Sequence, residues 1–113
     1  MKKIILTLLM TAIVPFMLMA DPPKKVTVTY NKENSTVKVV VFHPVANTST
    51  HYVKKITIKV DGKEVKTFNE TKQDNNKTDT REVVLKGIKP GSIIEAVADC
   101  SIMGSKKGKI KVE

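Results

Sequence analysis

The chain of 113 residues has no tryptophan, only two tyrosines and three phenylalanines, a single cysteine and two histidines. One cysteine cannot close an internal disulfide, so the usual staple of small exported folds is absent; Cys100 is a free thiol, half of an intermolecular bridge, or a metal thiolate. No paired serine and histidine motif occurs, and the carboxylates are scattered over polar stretches, which leaves no hydrolase machinery. No segment carries the 3.6-residue apolar period of an amphipathic helix. The balance is basic, with 20 Lys and Arg against 11 Asp and Glu. Yet the lysines alternate along apolar runs with almost no aromatic residues between them, the pattern of a solvated face and not of a nucleic-acid surface. Attraction of an anion or an acidic protein partner is the milder consequence.

What is present begins with Lys2-Lys3, an apolar run from Ile4 to Met19 and a small residue, Ala20, ahead of Asp21-Pro22-Pro23. This predicts a secretory signal peptide over residues 1–20, cleaved after Ala20, and a periplasmic or secreted protein with no membrane segment once the signal is removed. Pro15, Thr7 and Thr11 leave the run at the short limit for a transmembrane span of about 20 residues. The remainder, residues 21–113, suffices for one small domain.

That remainder reads as β throughout. Runs rich in Val, Ile and Thr extend over Lys25 to Tyr30, Thr36 to His43, Tyr52 to Val60, Glu64 to Phe68, Thr80 to Lys86, Ser92 to Cys100 and Gly108 to Val112. Seven short strands at this spacing predict an all-β, immunoglobulin-like sandwich. Asp61-Gly62 is a two-residue hairpin signal, because both positions favour positive φ, and Lys89-Pro90-Gly91 is a second turn. Asn69 to Asp79, which includes Gln73-Asp74-Asn75-Asn76, is the longest polar stretch and is expected to be a mobile loop.

Strands of such a sandwich mostly run up and down between two ends. His43 then closes the second strand, His51 precedes the third and Cys100 closes the sixth, all at one end, together with the long loop and with Lys24 and Lys25. Alternation places Val37, Val39, Val41 and His43 inward, and Ala96, Ala98 and Cys100 likewise, opposite outward Lys38, Glu95 and Asp99. His51 stays ambiguous, since adjacent Lys54 and Lys55 cannot both face out without a bulge or an edge position. Taken singly, Cys100 is an ordinary buried residue, His43 a strand end and His51 a surface side chain. Their convergence is what points to a metal, since imidazole and thiolate are ligands of transition ions.

The segments His43-Pro44, His51-Tyr52, Val60-Asp61-Gly62-Lys63, Leu85-Lys86 to Lys89-Pro90-Gly91, and Cys100-Ser101-Ile102-Met103-Gly104 resemble the iron domain of superoxide reductases and desulfoferrodoxins. The resemblance runs over nearly all of Val26 to Val112. It implies a seven-stranded immunoglobulin-like fold and a mononuclear non-haem iron held by four histidines and an axial cysteine. It also implies one-electron reduction of superoxide to hydrogen peroxide with an open iron position, a lysine nearby and a redox partner. The chain departs from that pattern where the ligands lie. The stretch Pro44 to Thr50 is longer, Met103 stands where Cys-x-x-His-Gly has its histidine, and the amino-terminal Glu-Lys-His segment is met by Lys24 and Lys25 without a histidine. The four-cysteine rubredoxin-like domain is absent. Two of the five implied ligands are missing, and His43, His51 and Cys100 are the three that carry over.

Three functions follow from this set. The first is an exported iron-binding domain with reduced or no superoxide reductase activity. The second adds Met103 to His43, His51 and Cys100, giving the imidazole, thiolate and thioether donors that suit copper. Against it, no histidine follows Cys100 in the same loop. The third is a metal-free interaction module, with Lys54, Lys55, Lys59, Lys106, Lys107 and Lys109 facing an acidic partner or an edge strand adding a partner's strand. Four Asn-x-Ser/Thr sequons, at Asn34, Asn47, Asn69 and Asn76, matter only in a host that glycosylates.

Overall fold

In a computed structural model, residues 21–113 are described, and the expected signal peptide, residues 1–20, lies outside them. Seven strands follow one another: β1 (Lys25–Asn31), β2 (Thr36–Phe42), β3 (Val53–Val60), β4 (Lys63–Asn69), β5 (Thr78–Val84), β6 (Ile93–Cys100) and β7 (Ser105–Lys111). Every pairing is antiparallel, in a sheet of order β1-β2-β5 and a second of order β4-β3-β6-β7. This is the expected sandwich, with the fourth strand hairpinned onto the third. Among the described residues no helix is long and apolar enough to cross a membrane.

Alternation in the sequence becomes alternation in space. Val37, Val39 and Val41 of β2 meet Ile56 and Ile58 of β3 and Ile94, Ala96 and Ala98 of β6 in one buried aliphatic cluster, closed by Val26, Val28 and Val112. These core residues all fall between Val26 and Val112. Where β7 passes beneath β1 the inward position is Gly108, and a Cβ there would lie 2.1 Å from the Val26 carbonyl oxygen. No residue larger than glycine fits that approach between the sheets.

The turns form as their residues dictate. Asp61 (φ 50) and Gly62 (φ 84) both take the left-handed conformation that a two-residue hairpin requires. Pro90 and Gly91 (φ 91) make a turn closed by the Ser92 N–H on the Lys89 carbonyl, 3.1 Å.

Strand direction now fixes the end of interest. β2 finishes, β3 starts, β5 starts, β6 finishes and β7 starts at one pole of the sandwich, where the connections 43–52, 70–77 and 101–104 meet the chain entering at Asp21. The loop after β4, whose polar sequence suggested mobility, is tied to its neighbours by hydrogen bonds. Its Asn76 and Lys77 carbonyls accept the N–H groups of Val45 and His43 at 2.8 Å each, and the Gln73 N–H reaches the Thr48 carbonyl at 3.1 Å. Asn75 Oδ1 accepts the N–H groups of Lys77 and Thr78 at 2.9 and 2.8 Å, folding the tip on itself.

Candidate metal centre

His43 follows β2 in the inward phase of Val39 and Val41 and is fully buried; Cys100 ends β6 in the phase of Ala96 and Ala98 and is 3% exposed. His51, whose facing was ambiguous, reaches them through an irregularity in β3. Val53 pairs with Cys100 and Lys55 with Asp99, so Lys54 is an extra residue in the ladder. The bulge resolves the adjacent lysines and sets the start of β3 beside the thiol. The Tyr52 carbonyl then accepts the Ser101 N–H at 2.8 Å, and Ser101 Oγ accepts the Tyr52 N–H at 3.0 Å. The three side chains converge as the strand directions required. Each offers one ligand atom, and these atoms lie within 4.8 Å of one another. The two imidazoles meet edge to face, with ring centroids 4.8 Å apart at 86°.

Gln73 went unnoticed in the sequence, where it is one amide in a polar run. It is 1% exposed and bonded at both ends of its amide. Its Nε2 donates to the carbonyls of His43 (2.8 Å) and Asn75 (2.9 Å), while Oε1 accepts the Val53 N–H at 3.1 Å. A rotated amide would set like against like at all three contacts, so the orientation is fixed. His43 Nδ1, 2.8 Å from that same Oε1, must therefore carry a hydrogen and donate it. In the neutral ring this leaves the lone pair on Nε2, the arrangement by which a partner on one ring nitrogen prepares the other as a metal ligand. Gln73→Ala removes this restraint. It should weaken metal binding by about 10- to 100-fold, while leaving the Val53 N–H and the His43 carbonyl without partners lowers the melting temperature; calorimetric titration and a melt measure the two effects.

The thiol is held with similar economy. The Cys100 N–H donates to the Gly104 carbonyl at 2.9 Å, closing the 101–104 loop, and the Ile102 N–H points back at Cys100 Sγ at 3.4 Å. Two imidazole nitrogens and a thiolate fit a mononuclear transition ion and leave further positions for oxygen donors. They do not make the four-imidazole iron centre that the family resemblance implies. Met103 is 61% exposed and borders a surface depression with Cys100, Lys54, Lys55 and Ile102.

The base of the Gln73 loop is a charge cluster in which Glu70 and Asp79 are buried while Arg81 and Asp74 reach solvent. Arg81 of β5 pairs with Glu70, with Asp74 at 3.0 Å and with Asp79 at 3.4 Å, and Asp74 also accepts the Thr80 N–H at 2.9 Å. Glu70 Oε2 and Asp79 Oδ2 are buried with no donor, although the two carboxyls lie against each other. A proton held between them supplies the missing donor. Burial, and then the hydrogen bond to Asp79, raise Glu70 from 4.5 to about 8. Burial also raises Asp79. Asp74 is partly buried, which opposes its ionisation, yet the Thr80 N–H and Arg81 hold it below the usual carboxylate range.

Of the lysines read as a basic face, Lys55, Lys59, Lys107 and Lys109 lie on the outer side of the second sheet among acids, while Lys106 stands opposite buried Ala98 and Lys54 is the bulged residue. Glu95 stands opposite both Lys59 and Lys109, and Asp99 opposite Lys55. Cross-strand pairing of this kind offsets the positive charge locally.

Among solved structures the chain is similar to a hypothetical protein from Pyrococcus horikoshii OT3, with 21% identity, a TM-score of 0.61 and coverage of 82% of this chain and 90% of that one. It is also similar to a superoxide reductase (neelaredoxin) from Ignicoccus hospitalis, at 20% identity and a TM-score of 0.47, over 79% of this chain and 78% of that one. No protein-family model matches the chain, and no curated protein does. The Pyrococcus likeness is one of fold.

Proposed function

We propose that the domain is an exported, superoxide-reductase-like sandwich that binds one transition-metal ion through His43, His51 and Cys100, with little or no superoxide reductase activity. The observation that carries this reading is the convergence of the chain's only thiol and both its imidazoles at one pole. Iron is the metal suggested by the sequence resemblance. A ferrous ion there supplies one-electron redox chemistry; the protein holds it with three side chains where the family pattern uses five, which leaves it more open to solvent and to oxidation. Copper with Met103 as a fourth donor finds less support, because Met103 is mostly exposed to solvent.

Metal bound only by the folded chain raises its stability by mass action. Anaerobic addition of ferrous iron at about 100 times its dissociation constant should raise the melting temperature of residues 21–113 by roughly 10 °C or more, and a chelator should reverse the rise. A melting temperature indifferent to metal and chelator would favour the interaction module instead. Iron and copper content of the chain purified without added metal and without a metal-affinity tag decides between the two metals, since added copper would bind such donors more tightly than iron in either case.

A further inference from the structure

We infer that the main-chain carbonyl oxygen of Asp21 is a fourth ligand of the metal held by His43, His51 and Cys100, an assignment that rests on the metal reading above. This oxygen lies 3.0 Å from His43 Nε2 and 3.2 Å from His51 Nε2. Gln73 fixes the hydrogen of His43 on Nδ1, so in the neutral ring the Nε2 lone pair faces the Asp21 oxygen with no hydrogen between them. Such a pair is joined by a proton on the ring or by a cation, and one metal ion would serve both imidazoles and the carbonyl at once. The two carbonyl-to-imidazole separations agree with this, while the thiol and imidazole ligand atoms, which lie within 4.8 Å of one another, draw closer to share one ion. Ligand atoms each about 2.1 Å from one ion, at angles of 90–109°, lie about 3.0–3.4 Å apart.

The carbonyl is delivered by a stiff strap. Asp21 precedes Pro22-Pro23, which confines it to extended conformations and fixes the next two φ angles. Pro23 is buried, and the Lys24 N–H donates to the Phe42 carbonyl at 2.8 Å. Pro22 rests on Gly104 of the cysteine loop so closely that a Cβ on Gly104 (φ 85) would lie 2.6 Å from Pro22 Cβ. The strap and the thiolate loop are therefore built against each other, and a hard oxygen completes a set of two nitrogens and one sulfur.

Three chains test the assignment: one beginning at Ala20, the same chain carrying Asp21→Ala, and one beginning at Pro22. All retain every strand and the core. Ferrous iron affinity is measured anaerobically against a competing chelator, and the metal-free melting temperatures are compared. The chain beginning at Pro22 should bind about tenfold more weakly or worse, with its metal-free melting temperature unchanged. The Asp21→Ala chain should bind within about twofold of its parent, because the ligand is the main chain. Equal or tighter binding by the Pro22 chain would overturn the assignment and leave Asp21 as a mere acceptor for the rings. A loss caused by Asp21→Ala would overturn it in favour of the side-chain carboxylate. If the chain beginning at Ala20 binds no iron, the metal reading itself fails and this assignment with it.

Discussion

Cys100→Ala should abolish stoichiometric metal binding while leaving the sandwich folded. The thiolate is the only anionic side chain in the group of three, and two neutral imidazoles without it are ordinary weak ligands for a divalent ion. The fold does not depend on the sulfur. The main-chain links of Cys100, to Val53 across the ladder and to the Gly104 carbonyl at 2.9 Å, survive the substitution. Losing one buried sulfur atom costs about 1 kcal/mol, the range of a small truncation in a packed site. Metal per chain after desalting, read beside the far-ultraviolet circular dichroism, checks both halves. Unchanged metal content would remove the thiolate from the account.

The largest effect on stability should come from Arg81→Ala, and it should depend on pH. Arg81 is the cation shared by Glu70, Asp74 and Asp79, and removing one partner of a buried ion pair costs about 3–5 kcal/mol. In the intact protein Glu70 is raised to about 8 in the fold from 4.5, so between those values the folded state keeps a proton that the unfolded chain has released. Stability from this group is therefore fully present below about pH 4.5, declines by at most about 1.4 kcal/mol per pH unit, and is lost once pH passes about 8. Without Arg81 the ionised pair has no counter-charge. The variant should be destabilised by about 3 kcal/mol or more at pH 8, and by less at pH 5, where bound protons take over part of the neutralisation. Urea unfolding of both proteins at the two pH values measures the difference. An equal, small loss at both would mean that Arg81 contributes little more than a surface ion pair. Because Gln73 rides on this loop, metal affinity should fall with the variant as well.

The strands were legible because each carries a period of two that only a half-buried sheet explains, from Thr36-Val37-Lys38-Val39 to Ala96-Val97-Ala98-Asp99. Direction followed from the strand count, and direction alone brought Cys100 to His43 across 57 positions of sequence. His51 could not be placed from alternation because a bulge resets the phase at Lys54. The hydrogen bonds that tie the loop from Asn69 to Asp79 to residues 43–48 are long-range and so leave no mark in its own sequence. Glu70 and Asp79 are charges that burial makes useful only once Arg81 is beside them, and Gln73 matters only when His43, Val53 and Asn75 surround its amide. Asp21 left no trace at all, since every residue has a carbonyl and only the tertiary fold shows which one faces two imidazoles. Met103 is the reverse case, conspicuous in the sequence for its donor atom and then found to be mostly exposed.

X-ray absorption at the iron edge of residues 21–113, loaded anaerobically with one equivalent of ferrous iron, reads the ligand set of the metal itself. One sulfur scatterer at about 2.3 Å is expected, together with nitrogen and oxygen scatterers at about 2.0–2.2 Å and the multiple-scattering pattern of imidazole. A shell of oxygen alone, with neither sulfur nor imidazole, would show that His43, His51 and Cys100 meet without holding a metal.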